Sequence, residues 1–507
     1  MTSKELTDLV LEVTGRERAQ VRTIEPRPGL RCPVHYDIDI LAGPLQGIGI
    51  SGVFHQQARA MELASEKRDF VVATRTSSGK SLCYVLPILR SVLSEPAARS
   101  LLLYPTKALA RDQAAKLQAV APTGVRIGVF DGDTPRGERA MIRNHAQIVI
   151  SNPDMLHLSI LPNHSNWRSL LQSLRFVVLD ELHVYRGVFG SHVAGVMRRL
   201  FRLSEWNRSK PVIIATSATI ANPARLLEDL TGRTPVVVDE DSSPQGSRTI
   251  VLLEAPEDDA YSPAYETARL LATLAARQVR TLAFCRSRVG TEVVLRLARD
   301  LLTRLGADPT VIDAYRAGYT PEERRKIESR LLNGSLVGLA STNALELGID
   351  IGGLDVVLMN GFPGTVTSFW QQAGRAGRAG RDGLAVLVTR QDPLEQSLVE
   401  DPDLLLGASI EAATVRPGNP YVLAGQIKCM AHERPVSSAE LDQFHQPARG
   451  GVRERRVVVV GRGEHPIAPA GLACGQGFAQ ERGNDVDHRV VGALPGMRIA
   501  LRRVADD

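Results

Sequence analysis

Two blocks of the chain repeat one hydrophobic pattern, in which short apolar runs alternate with stretches of helical spacing. In the first block the runs are Phe70–Ala73, Ser100–Tyr104, Gln147–Ile150, Arg175–Leu179 and Val212–Ala215. In the second they are Thr281–Phe284, Val337–Ala340, Val356–Met359 and Ala385–Val388. Strands apolar on both faces and separated by helices predict a buried parallel sheet with helices on either side. The pattern therefore predicts an α/β protein of two tandem lobes, 46–238 and 264–395, joined by an acidic linker at 239–263. Ahead of them, residues 1–45 form an N-terminal segment with one helix, its face marked by Leu6, Leu9, Val10 and Val13, and then an extended stretch from Glu25 to Gly29. Behind them, 396–446 reads as a partial helical region. From 447 to 507 the composition shifts to Gly and Arg without lysine, and only Val457–Val460 resembles a strand, so a small, poorly ordered C-terminal extension is expected.

Composition narrows the picture modestly. A chain of 507 residues with 43% hydrophobic content has room for about three domains of ordinary size. The net charge of +5 suits a polyanionic partner without requiring one. No apolar run approaches the roughly 20 residues of a membrane span, and the N-terminus has no signal-peptide pattern, so a cytoplasmic protein without a membrane partner is expected. The five cysteines, at 32, 83, 285, 429 and 474, form no CxxC pair, and no zinc is expected.

The candidate chemistry lies at the ends of the predicted strands. Ala73-Thr-Arg-Thr-Ser-Ser-Gly-Lys-Ser81 follows one strand and opens a helix, where backbone N–H groups and the helix N-terminus meet an anion. Thr76, Ser77, Ser78 and Gly79 would cradle phosphates, Lys80 would reach the β- and γ-phosphates, and Ser81 would ligate Mg²⁺. Thr74 stands where the general pattern has its first glycine, and Arg75 adds an unusual charge. The strand Arg175–Leu179 ends in Asp180 and Glu181, suited to hold Mg²⁺ and to orient the attacking water, with His183 beside them as a candidate coupling residue. Ser217 and Thr219 can hydrogen-bond the metal-binding acid, and Gln57 is placed to read an adenine edge. In the second block, Thr342 and Asn343 suit a phosphate backbone, while Gly348 and Asp350 would face the nucleotide. Gln371-Gln-Ala-Gly-Arg-Ala-Gly-Arg378 then presents Arg375 and Arg378 three residues apart, spaced by glycines that allow a close approach, as arginine fingers on the triphosphate of the other lobe. Taken singly, each segment is equally a solvated strand end or a basic helix. In this order, divided between two lobes, they form one nucleotide site.

These motifs resemble the superfamily 2 helicases, with Asp180-Glu-Leu-His183 in the DExH form. Tyr104-Pro-Thr-Lys-Ala-Leu-Ala-Arg-Asp-Gln113, Asp131-Gly-Asp-Thr-Pro135, Ser151-Asn-Pro-Asp-Met-Leu-His157 and Tyr185-Arg-Gly-Val-Phe-Gly-Ser-His192 are similar to the mitomycin-repair-factor branch and its fungal RecQ-like relatives. Tyr315-Arg-Ala-Gly-Tyr319 and Thr342–Asp350 match the same branch, and the likeness covers 45–440. The resemblance implies two RecA-like lobes of the P-loop NTPase kind and ATP-driven, 3′-to-5′ movement on single-stranded or tailed duplex DNA in DNA repair. It makes Thr106, Lys107, Gly132, Asn152, Arg286 and Thr342 candidate contacts to the strand and Gln371 a coupling residue. Two alternatives remain: RNA as the substrate, since such motors grip the sugar-phosphate backbone, and an ATPase that binds nucleic acid without unwinding it. The second is raised by the four-cysteine zinc cluster of the relatives, which this chain does not carry. The motifs name no protein partner.

Overall fold

The computed structural model describes residues 1–507 except 33–38, 48, 51, 259, 317, 347–352, 378–379, 438–439, 441–456, 462–487, 495–496 and 503–507. Its strands run in chain order as follows. β1 is Ala19–Ile24, β2 Arg31–Cys32, β3 Val53–Phe54, β4 Phe70–Ala73 and β5 Arg99–Leu103. β6 is Ile127–Val129, β7 Ile148–Ser151, β8 Leu174–Leu179, β9 Val212–Ser217 and β10 Val236–Val238. β11 is Arg248–Leu253, β12 Thr281–Cys285, β13 Ile312–Tyr315, β14 Gly338–Ser341, β15 Val356–Asn360 and β16 Gly383–Val388.

Two seven-stranded sheets result. The first has the order β10-β4-β9-β8-β5-β7-β6 and is parallel throughout. Alternate residues of each strand serve opposite faces: Val71, Leu101, Leu103, Val177 and Ile213 join one core, and Val72, Leu102, Ile150, Val178 and Ile214 the other. Each strand thus has to be apolar on both faces along its middle, which is why the runs were visible in the sequence. The second sheet has the order β1-β11-β16-β15-β12-β14-β13, parallel except for the edge strand β1. It sorts its residues in the same way, with Val251, Ala283 and Leu358 on one side and Leu252, Leu282 and Val357 on the other.

Four segments depart from the expected layout or add to it. The N-terminal segment is built into the second lobe: Leu6, Leu9, Val10 and Leu11 of the helix Ser3–Thr14 enter its core, and β1 pairs with β11. Glu5 and Thr2 form a capping box that starts this helix. The expected linker contains β11, an interior strand of the second sheet, so the connection proper is the short stretch from 239 to 247. Its Arg248–Leu253 run follows directly on a polar, Pro-containing stretch that obscured it. After the second lobe the chain returns to the first, where the helix Pro420–Glu433 lies on the helix Gly187–Trp206. Gly195 allows this contact, since a Cβ there would lie 2.4 Å from Gln426. Arg199, fully buried, donates from Nε to Glu433 Oε1 at 3.0 Å and from Nη1 to Gln426 Oε1 and His157 Nδ1, both at 2.8 Å. In the tail, Val457–Gly461, His488–Leu494 and Met497–Arg502 form a three-stranded antiparallel sheet, where a single strand-like run was expected.

Candidate nucleotide cleft and strand-binding edge

β4 ends at Ala73, and the chain turns through Thr74–Gly79 into the helix Lys80–Ser94. The turn requires left-handed backbone at Ser77 (φ 65°) and Gly79 (φ 77°). Lys80 Nζ donates to the carbonyls of Thr74 and Arg75 at 2.8 and 2.7 Å, and the hydroxyls of Thr74 and Ser78 lie 2.7 Å apart. Burial lowers the Lys80 pKa, against the opposing pull of Glu181 and Asp180. Gln57 braces this loop. Its Oε1 accepts from Phe54 N at 2.9 Å and its Nε2 donates to Gly79 O at 3.0 Å, so the amide expected at an adenine edge already holds backbone groups. Gln56, which no sequence motif marks, donates to Ser78 O at 3.0 Å.

Arg75 turns away from the loop to the inter-lobe connection. Its Nε donates to Asp241 Oδ2 at 2.8 Å and its Nη1 to Gln245 Oε1. Burial alone would raise the Asp241 pKa, but the hydrogen bonds from Ser243 and Arg75 hold it below the usual value. The N-terminal arm grips the same stretch, with Arg27 N donating to Gln245 O and Leu30 N to Ser242 O, each at 2.8 Å.

Asp180 and Glu181 follow β8, three strands in from the β10 edge. Register decides which hydroxyl meets them. Leu179 pairs with Ala215, so Asp180 is level with Thr216, whose hydroxyl donates to Asp180 Oδ1. Ser217, expected to bond this acid, lies one residue on and sits 3.5 Å from His183 Nδ1. Thr219 is exposed and lines the cleft. Burial, reinforced by Glu181, pushes the Asp180 pKa up to about 7. Glu181 takes a left-handed conformation (φ 54°) that brings its carboxylate 3.6 Å from His183 Nδ1. The excess of negative charge here, with Ser81 Oγ 3.2 Å from Gln113 Oε1 on the neighbouring helix, fits a divalent cation. Among the described residues no group of three His, Cys, Asp or Glu side chains could hold a further metal, and no helix is long and apolar enough to cross a membrane.

The second lobe closes on this site through two contacts. Gln371, 4% exposed, bonds His183 Nε2 across the interface. Because His183 Nδ1 accepts from Ala218 N at 3.3 Å, Nε2 carries the proton, and the Gln371 amide must turn its oxygen toward it. Burial lowers the His183 pKa and keeps the ring neutral. Beside it, Gly374 meets the phosphate loop so closely that a Cβ would lie 2.4 Å from Thr76 Oγ1. Between the lobes lies a cleft of about 340 Å³, lined by Thr76, Ser77, Thr219 and Arg248 together with Gln371 and Gly377. Arg375 is not brought to it. Its guanidinium is buried in its own lobe and donates to the Glu346 carbonyl, because a charge at this depth needs an acceptor whether or not an anion is bound. Gly348, Asp350 and Arg378 lie outside the described residues.

Residues 54–226 match the DEAD/DEAH box helicase family, and 266–380 match the helicase conserved C-terminal domain. The chain belongs to the superfamily 2 helicases. It is 42% identical over 451 residues to the uncharacterized ATP-dependent helicase YprA of Bacillus subtilis, covering 87% of this chain and 60% of YprA. The ATP-dependent helicase HRQ1 of Saccharomyces cerevisiae is 39% identical over 418 residues, which cover 79% of this chain and 39% of HRQ1. A structure of the helicase MrfA bound to DNA and AMPPNP is 40% identical, with a TM-score of 0.81, over 85% of this chain and 61% of that one. The chain therefore spans between about two-fifths and three-fifths of the length of these relatives.

The strand-contact candidates of this superfamily 2 chain gather away from the cleft, along the β5-β7-β6 end of the first sheet and the β12-β14 end of the second. Thr106, Asn152 and Thr342 cap the helices that follow β5, β7 and β14, accepting from Leu109 N at 3.2 Å, Met155 N at 2.9 Å and Ala344 N at 3.4 Å. Lys107 reaches Asp133 at 2.9 Å, and a Cβ on Gly132 would lie 2.9 Å from its ammonium. Arg286 is exposed just after β12. Helix N-termini and exposed cations at the carboxyl ends of parallel strands suit a phosphodiester backbone.

Proposed function

We propose that this chain hydrolyses ATP to move 3′ to 5′ along single-stranded DNA and opens tailed duplexes in DNA repair. One observation carries the reading: the two lobes share a single cleft, joined by the His183–Gln371 bond and the contact of Gly374 with Thr76. Within it, Lys80 binds the β- and γ-phosphates, Ser81 and Asp180 hold Mg²⁺ with the nucleotide, and Glu181 orients the attacking water. Bound Mg²⁺ supplies charge neutralisation on the phosphates. Arg378 serves as the finger, and Arg375 positions the segment that carries it. Thr106, Lys107, Gly132, Asn152, Arg286 and Thr342 grip the strand, mostly at phosphates, so binding falls with salt and varies little with sequence. Support for DNA comes from MrfA, solved with DNA and with DNA plus AMPPNP.

Strand displacement on 3′-tailed, 5′-tailed and blunt duplexes, run beside ATPase stimulation by single-stranded DNA and RNA of equal length, tests the proposal. Displacement of the 3′-tailed duplex alone is expected. Stimulation by RNA only would overturn the DNA assignment, displacement from 5′ tails the polarity, and hydrolysis without displacement the unwinding.

A further inference from the structure

Arg248 opens β11 on the second lobe, beside Ile24 of β1 and Gly383 of β16, and lines the inter-lobe cleft together with Thr76 and Ser77 of the phosphate loop. Its Nε is buried and has no hydrogen-bond partner among the described residues. The charge that acts on it is another cation, Arg75. Burial first, and Arg75 second, push its pKa down to about 10, the reverse of what an arginine with a carboxylate neighbour shows. Asp241 does not relieve it, because that carboxylate is taken by Arg75 at 2.8 Å and Arg27 at 3.5 Å.

The position is also held with some rigidity. Gly246, two residues earlier, is pressed so tightly on the second lobe that a Cβ would lie 2.2 Å from the Arg381 carbonyl. Gly377 and Gly380, from the segment that carries Arg378, line the same cleft as Arg248. A buried guanidinium nitrogen with no acceptor, such as Arg248 Nε, is costly unless an anion completes it. From these placements we infer that Arg248 is a phosphate-binding residue of the second lobe, contacting the phosphate chain of the nucleotide held by the first. It adds to the cleft an arginine outside the Gln371–Arg378 motif, and the inference rests on reading this cleft as the ATP site.

The test is equilibrium binding of a fluorescent ATP analogue to the full chain, with ATP, ADP and AMP as competitors, for the wild type and for Arg248→Met, Arg248→Lys and Lys80→Ala. Arg248→Met should weaken ATP by roughly 10- to 150-fold, the worth of a hydrogen bond to a charged group, weaken ADP less and leave AMP unchanged. Lys80→Ala should lose ATP binding altogether. Wild-type ATP affinity in Arg248→Met, with binding lost in Lys80→Ala, would overturn the assignment of Arg248 and leave the site standing. Equal weakening of ATP, ADP and AMP would also overturn it, since phosphate number would not matter. Unchanged binding in Lys80→Ala would remove the nucleotide reading itself. Should Arg248→Met unfold early in a thermal scan, Arg248→Lys decides: it keeps the charge but not the planar fork, so a several-fold loss for ATP alone is expected, and wild-type affinity would refute the contact.

Discussion

Replacing Gln371 by Ala removes the acceptor of a hydrogen bond that exists only when the lobes are together. Both ends of that bond are secluded, with His183 7% and Gln371 4% exposed. The truncated site leaves the His183 Nε2–H buried without a partner, which costs about 1–3 kcal/mol. Because the open arrangement lets water reach that N–H, the cost falls on the closed one, whose population should drop by roughly 5- to 150-fold. The assay is steady-state ATP hydrolysis with saturating single-stranded DNA, beside direct nucleotide binding. The turnover number should fall within that range, while affinity for the nucleotide, held chiefly by the first lobe, changes little. His183→Ala should lower turnover too, and the double variant should be no worse than His183→Ala alone, since the two act through one contact. Losses that multiply in the double variant would refute the coupling, and so would wild-type turnover in Gln371→Ala.

Three further outcomes follow from the packing. Gly374→Ala places a methyl 2.4 Å from Thr76 Oγ1 and should reduce ATP turnover at least tenfold with nucleotide binding retained, while adding Thr76→Gly should restore part of the activity. Glu433→Ala strips the buried Arg199 of its counter-charge and should cost about 3–5 kcal/mol in urea unfolding of the first lobe, whereas Arg199→Met with Glu433→Leu should be far milder. His157 has its pKa pushed down to about 4, by burial and then by Arg199 and His192. Its folded pKa lies below the unfolded value near 6.5, so the stability it supports is whole above that value and declines as pH falls from there toward 4. Denaturation midpoints measured over this range should show the decline, and His157→Gln should flatten it.

The sequence by itself determined the two α/β lobes and the location of most of the chemistry. Strands covered on both faces must be apolar on both, and a phosphate loop is a local turn, so Phe70–Ala73 and Lys80 were legible without partners. The acids Asp180 and Glu181 were legible for the same reason, at the end of an apolar run. Tertiary structure decided what depends on register and on contacts between distant segments. Thr216 rather than Ser217 meets Asp180 because β8 and β9 align Leu179 with Ala215, and a hydroxyl pair in sequence carries no register. The helix Ser3–Thr14 was readable, but its burial in the second lobe rests on pairing between β1 and β11, more than 220 residues apart. Arg375 and Arg248 make the same point from opposite sides. The first has the expected spacing and is taken by a carbonyl of its own lobe; the second has no motif, lines the cleft and keeps a buried Nε without a partner among the described residues. Spacing in sequence places a guanidinium on an element, while the acceptors that surround it after folding decide whether it remains available to an anion.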